Sequence, residues 1–342
     1  MDVAKSRVAE ASSDEVHPSG RARGGLISTK VGLMIARLAL PLILVLFVVL
    51  FSLLRPQEFF TVTNLRAIVV SQSVLGILAV GTLLPLVIGH FDLSVAANLG
   101  LGAILCTGLP SKEGVGFFLA TGVALGACTL VGVTNGLLVA KVGINALIST
   151  LGMASLITGG VLWYTDGAVV YSGIPAKLTQ LGQGNLWGIP NPVVVLAVVA
   201  LIFWYFLEYV PIGRHLFAIG GSPEAARLSG INVPVLTVFT FALTGLLAGV
   251  AGVIQSAELG SGNPSVGPDL LLPAFCAAFL GATTVKPGIY NVPGTIIAVF
   301  TLATGVVGLE LLGLPFYIDE VFSGAALIVA VVVTRYLRRE AI

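Results

Sequence analysis

Charge is scarce in this sequence. Only 10% of the 342 residues are Asp, Glu, Lys or Arg, while 56% are hydrophobic, and the mean hydropathy is +1.03. A chain so poor in charge cannot clothe a water-facing surface, so it reads as an integral membrane protein whose surroundings are lipid. A formal net charge of +1 says nothing about nucleic acid, where the placement of the charges says more; no nucleic-acid partner is expected. Cys106, Cys128 and Cys276 lie in apolar runs without metal-ligand spacing, so they read as small hydrophobes with no metal or redox role. GxxxxGK(S/T), HExxH, CxxC and GxSxG are all missing. The chain therefore has no P-loop of its own for ATP, and no catalytic residue is assigned. Ionisable residues are also nearly missing from span centres, with Glu310, near a span end, the main candidate. A proton-coupled carrier needs several. Energy for uphill transport has to come from elsewhere.

What the chain does have is apolar length. A span needs about 20 apolar residues to cross a core about 30 Å thick. Ten stretches qualify: 33–54, 67–88, 93–109, 115–140, 144–163, 192–210, 234–257, 270–285, 292–312 and 320–336. The third and eighth are short and Gly-rich and are expected to be broken or re-entrant. The fold class is thus all-α and polytopic, with residues 31–342 forming one transmembrane domain whose 42 glycines suit close helix packing. Residues 1–30 are polar and of mixed charge and read as a disordered tail.

Cation placement sets the sidedness. With the N-terminus inside and every span crossing, Lys5, Arg7, Arg21, Arg23, Lys30, Arg37, Lys141, Arg214, Arg227, Lys286, Arg335, Arg338 and Arg339 fall inside. Only Arg55, Arg66, Lys112 and Lys177 fall outside. Both termini are therefore expected in the cytoplasm. The long outside loop 166–191 includes Gly182, Gly184, Trp187 and Gly188. Trp163, Tyr164 and Tyr171 near its start read as an interfacial aromatic belt, and the loop's length also suits a docking surface for an extracellular partner.

One sizeable polar stretch interrupts the apolar pattern on the inside, Gly220–Val233 (GGSPEAARLSGINV), within the loop 211–233. Ser222 reads as an N-cap, Pro223 as the first helical residue, Glu224 as a first-turn acid and Gly230 as the stop. A short helix standing between two spans is expected to touch a partner. GHFDLSV at 89–95 is the second polar feature: Asp92 and Ser94 open the third span, as a cap or as a polar group at a helix break beside the pathway. Asn145 and Ser149, one turn apart, place two polar side chains on one face of the fifth span, towards the pathway or towards a neighbouring helix. ELGSGNPSVGPD at 258–269 reads as an outside loop, its Gly, Pro, Asn and Ser serving turn chemistry or its polar groups lining the outer mouth of a pathway. GATTVKPGIYNVPG at 281–294 excludes a continuous helix. A faint echo links 86–105 to 279–299, each a short polar break before a Gly-rich apolar run, as in a duplicated unit.

Gly220–Val233 resembles the cytoplasmic coupling loop of ABC importer permeases. In the ribose/xylose/arabinose/galactoside branch that loop reads GGNPEAARLSGINV, from which this chain departs only at Ser222. GHFDLSV is similar to the branch's SGIDLSVG, keeping Gly89, Asp92, Leu93, Ser94 and Val95. Asn135–Met153 (NGLLVAKVGINALISTLGM) and Ile212–Gly221 (IGRHLFAIGG) resemble two further segments of it. The resemblance runs from about Asn64 to the C-terminus. It departs at 281–294, where the branch carries a Gly-rich stretch and this chain has bulk and Lys286, keeping Gly281, Thr283 and Gly294. It implies a permease subunit in the bacterial cell membrane, paired with a second copy of itself. A cytoplasmic ABC ATPase would bind the ATP and Mg, and an extracytoplasmic binding protein would deliver the small sugar; the chain itself would carry no cofactor. Gly220, Gly221, Pro223, Glu224, Ala225, Ala226, Arg227 and Gly230 would form the ATPase-coupling element. An ABC permease for a branched-chain amino acid or nucleoside, and a self-sufficient secondary carrier or channel, are the alternatives.

Overall fold

The computed structural model describes residues 30–315 and 317–340. The expected N-terminal tail, apart from Lys30, lies outside the described residues. The architecture is all-α: α1 (Lys30–Leu54), α2 (Val62–Val87), α3 (Val95–Glu113), α4 (Phe117–Leu137), α5 (Ala146–Thr165), α6 (Ala176–Gln183), α7 (Asn191–Tyr209), α8 (Pro211–Gly221), α9 (Pro223–Leu228), α10 (Val233–Leu259), α11 (Pro268–Gly281), α12 (Val292–Leu311) and α13 (Ile318–Glu340). Among the described residues, seven helices are long and apolar enough to cross a membrane: those of α1, α2, α4, α5, α7, α10 and α12. α3, α11 and α13 occupy the other three positions at which the sequence leads one to expect a span.

Local signals place most boundaries. Thr61 caps α2 by accepting from the Asn64 amide at 3.1 Å. Pro192, Pro211, Pro234 and Pro293 each sit in a first helical turn, where a missing N–H costs nothing. α4 runs into a π-turn (Leu138–Val142) and stops at Gly143, whose φ of 81° is left-handed. The loop after α5 carries α6 and a hairpin of β1 (Asn185–Leu186) and β2 (Ile189–Pro190). Trp187, at the tip of that hairpin, is 93% exposed.

α10 is the central post, packed against α2, α3, α4 and α6. It gets close through glycine. A Cβ at Gly245 would run into the Cys128 carbonyl of α4, one at Gly252 into the Leu99 carbonyl of α3, and one at Gly132 of α4 into the Phe241 carbonyl. Here backbone meets backbone, the contact by which helices associate where no water drives them together.

α3 and α11 differ from plain spans. Cys106 of α3 meets Ser256 of α10 at 2.9 Å, while Gly102 lies against Gly249. Extended back along α10, that register starts α3 near the middle of the post. The segment after α10 then runs inward beside α3: Gly262 lies at Thr107 and Gly267 at the Ala96 carbonyl. Those contacts are 11 residues apart on α3, about 16 Å. α11 therefore begins deep. Its 14 residues reach only about 21 Å, less than a hydrocarbon core. The expectation that 258–269 forms a loop at one mouth holds only for its first residues, because an extended backbone covers distance quickly and turn residues alone do not disclose its direction. The short eighth span is as expected; the third, at 19 residues, is longer than expected.

Gly132→Leu is expected to destabilise the folded protein by about 2 kcal/mol or more through overpacking. Gly126→Leu on the same helix, where a Cβ meets nothing within 4 Å, is expected to leave the thermal midpoint of purified protein unchanged.

Candidate functional site

The segment between α7 and α10 folds as its residues dictate. Ser222 is extended (φ −157°, ψ 104°) and its hydroxyl accepts from the Ala225 amide at 3.2 Å. Pro223 opens α9, with Glu224 in its first turn and Arg227 in its last. The helix ends in a paired lock: the Gly230 amide bonds the Arg227 carbonyl at 3.0 Å and the Ile231 amide bonds the Ala226 carbonyl at 3.1 Å. Gly230 has φ 83°, which a residue with a Cβ adopts at a cost. Asn232 then caps α10 by accepting from the Val235 amide at 3.3 Å.

α9 is therefore held at both ends, and its faces divide sharply. Ala226 is 4% exposed and seats the helix on the body. Pro223, Glu224, Ala225 and Arg227 are exposed, as are Gly220 and Gly221 before them, and Leu228 is 83% exposed. Among the described residues Glu224 and Arg227 form no ion pair. The result is a rigid knob with both charges and a large apolar side chain turned away from its own protein. Gly220 needs its missing side chain for another reason: a Cβ there would collide with the Val87 carbonyl at the end of α2. The approach to α9 is thus wedged against the second helix.

The break after α2 lies close by. Asp92 and Ser94 are 2% and 1% exposed. One Asp92 oxygen accepts from both the Ser94 amide (2.9 Å) and the Ser94 hydroxyl (2.6 Å). Asp92 thus caps the entry to α3 from two residues ahead. Asn135 of α4 donates to the Ser94 oxygen at 2.8 Å, Ser149 of α5 to Asn135 at 3.4 Å, and the Leu93 amide to Thr150 at 3.0 Å. The break is a polar latch joining α3, α4 and α5. A cavity of about 530 Å³ opens beside it, lined by Gly89, His90, Phe91, Asn145, Pro234 and Thr237 among others.

Asn145 and Ser149 do not share an open face. Asn145 caps α5, accepting from the Leu147 amide at 2.9 Å, and borders the cavity. Ser149 is buried and turned to Asn135. The spacing of one turn holds, but a cap residue lies off the helical register. Asn135 and Thr150 are the latch members that residue-by-residue reading passes over. The signal for Asn135 is a carboxamide deep in an apolar run, where an unpaired polar group is costly.

Other sites of the sequence reading fall elsewhere. The connection 282–291 is knotted by Asn291, whose side chain donates towards the carbonyls of Gly281, Thr284 and Ile289 and accepts from the Gly294 amide. Thr284 donates to the Arg37 carbonyl of α1 at 2.6 Å, and Lys286 pairs with Glu208 of α7. Like Asp92, Asn291 guards the start of the next helix.

Comparison with known proteins gives this geometry a setting. Residues 64–331 match the family described as the branched-chain amino acid transport system / permease component. The ribose import permease protein of Haemophilus influenzae is 34% identical over 86% of this chain and 91% of its own length. That of Escherichia coli is 35% identical over 89% and 95%. The autoinducer 2 import system permease protein of Klebsiella pneumoniae is 32% identical over 86% and 89%. No solved structure matches the chain.

Asp92→Ala strands the Ser94 amide and hydroxyl and is expected to cost about 1–3 kcal/mol, read as a fall in thermal midpoint. Asp92→Asn keeps an acceptor and is expected to lose less.

Proposed function

The chain belongs to this transport-system permease family, and from that premise we propose that it is the membrane subunit of an ATP-binding-cassette importer for a monosaccharide or related polyol. The observation that carries the reading is α9, an end-capped helix with Glu224, Arg227 and Leu228 turned outward. A helix so built is a docking element, and without a P-loop the chain needs a docked ATPase to hold ATP and Mg. Glu224 and Arg227 supply opposite charges to a groove of that ATPase, and Leu228 supplies apolar area. Gly220, Gly221, Pro223, Ala225, Ala226 and Gly230 keep the helix short, seated and rigid. Closure of the ATPase pair then moves α9 as a body, and with it α8 and α10 on either side. Transport follows if that closure favours one facing of the pathway over the other.

The solute reading rests on relatives named for ribose import, which favour a sugar over the amino acid in the family's description. We assign the cavity beside Asn145 and the Asp92–Ser94 latch to the cytoplasmic end of the pathway. The excess of Lys and Arg on that side puts both termini in the cytoplasm of a bacterial cell, the chain crossing its inner membrane. An extracytoplasmic binding protein delivers the solute to the face that carries α6 and the Trp187 hairpin. A second copy of the chain completes the pathway. The surface we assign to it is the open face of α5, where Gly152, Ser155 and Gly159 are exposed beside Leu151 and Leu156.

Glu224→Ala and Arg227→Ala are each expected to cut ATP-driven ribose uptake by at least about tenfold, about 1.4 kcal/mol of coupling, with the permease still inserted. Uptake and ATPase co-purification both at the parent level in both variants would overturn the docking role.

A further inference from the structure

On the same end as α9, a cleft of about 630 Å³ opens between the last turns of α7, the face of α8 and the connection before α12. Trp204, Leu207, Phe217 and Ile289 give it apolar walls, and Arg214 and Lys286 give it positive charge. Glu208, the acid in the lining, is engaged by Lys286. Arg214 is exposed, and no carboxylate pairs with it among the described residues. The cleft is left with a surplus cation beside greasy and aromatic surface.

Two features place it at the level of lipid headgroups. α7 is bare along Val198, Leu201 and Ile202 and ends in a cluster of rings. Tyr205 stacks on Tyr209 with centroids 5.3 Å apart, and Trp204 meets Tyr209 edge-on at 5.5 Å. Such rings at the end of an apolar helix mark the membrane–water boundary. α8 follows at once and is two-faced, burying Gly213, Leu216 and Ile219 while Arg214 and His215 stay exposed. Its apolar face packs into the protein's own core, which leaves these two side chains turned outward directly after the ring cluster.

We infer that this cleft binds an anionic phospholipid, with the phosphate between Arg214 and Lys286 and an acyl chain along Trp204 and Phe217. Phosphate oxygens accept charge-assisted hydrogen bonds from both cations, and basic pockets between helix ends suit acidic headgroups. A zwitterionic lipid brings an ammonium of its own to a cleft already in surplus and gains less. The site adjoins Gly220 and Gly221, so a bound lipid would brace the root of the α9 segment. This assignment stands apart from the transport reading, because its test involves neither solute nor ATPase.

The test uses the full chain in nanodiscs, with Trp163→Phe and Trp187→Phe so that Trp204 is the reporting fluorophore. Phosphatidylglycerol or phosphatidylcholine with brominated chains is titrated in as quencher. Quenching by phosphatidylglycerol is expected to saturate at a mole fraction about fivefold lower, since the one surplus cation at a lipid surface contributes roughly a factor of five. Arg214→Gln, which removes the surplus cation and leaves the Lys286–Glu208 pair intact, is expected to bring the two curves together, Arg214→Lys to keep them apart, and millimolar inorganic phosphate to change neither. Coincident curves in the parent, which needs no charge variant to fold, would overturn the site. So would an unaltered phosphatidylglycerol curve in Arg214→Gln. Displacement by inorganic phosphate would identify a free-anion site instead and overturn the lipid assignment.

Discussion

Everything in this protein leans on the glycine face of α10. Where Gly245 meets Cys128 and Gly252 meets Leu99, no side chain stands between the backbones. Contacts of that kind have no slack, because packed interiors are bistable rather than compliant. α10 begins at Val233, directly after the lock that ends α9 at Gly230 and Ile231. Near its far end Ala257 lies against Gly182 of α6. A displacement of α9 is therefore delivered to one stiff post that touches α2, α3 and α4 along its length. The proposed coupling needs no longer chain of events than this.

The two helix breaks solve one problem in the same way. Irregular backbone inside an apolar body must find hydrogen bonds within the protein. At 88–94 the carboxylate of Asp92 gathers Ser94, and Asn135 and Ser149 extend the set. At 282–291 the carboxamide of Asn291 holds the turn together from inside. Each break is tied to a distant helix, the first to α4 and α5, the second to α1 and α7. Val285 keeps a left-handed backbone (φ 58°) in the second, unfavourable for a β-branched residue and sustained by those ties.

How much of this was legible beforehand follows from range. Span positions could be read because about 20 apolar residues are needed whatever they pack against, and the observed helices start and stop within a few residues of expectation. α9 could be read to the residue, since Ser222, Pro223 and Gly230 act on their own neighbours. Partners were another matter. Ser94 meets Asn135 41 positions away, and Lys286 meets Glu208 78 positions away; nothing local in either residue names the other. The inward course of 262–267 was hidden for a similar reason: Gly, Asn and Pro permit a turn, and what draws the chain inward is the groove beside α3. Asn145 shows the limit from the other side: its cap position, accepting from the Leu147 amide, takes it off the helical face it would share with Ser149.

The central claim is that this chain moves solute only when a separate ATPase drives it through α9. The direct measurement is uptake of a labelled monosaccharide into proteoliposomes holding the permease alone or together with its ATPase and binding protein. The expected result is uptake that requires ATP and both partners, with none driven by a proton or sodium gradient across vesicles holding the chain by itself. Gradient-driven accumulation by the chain alone would contradict the account.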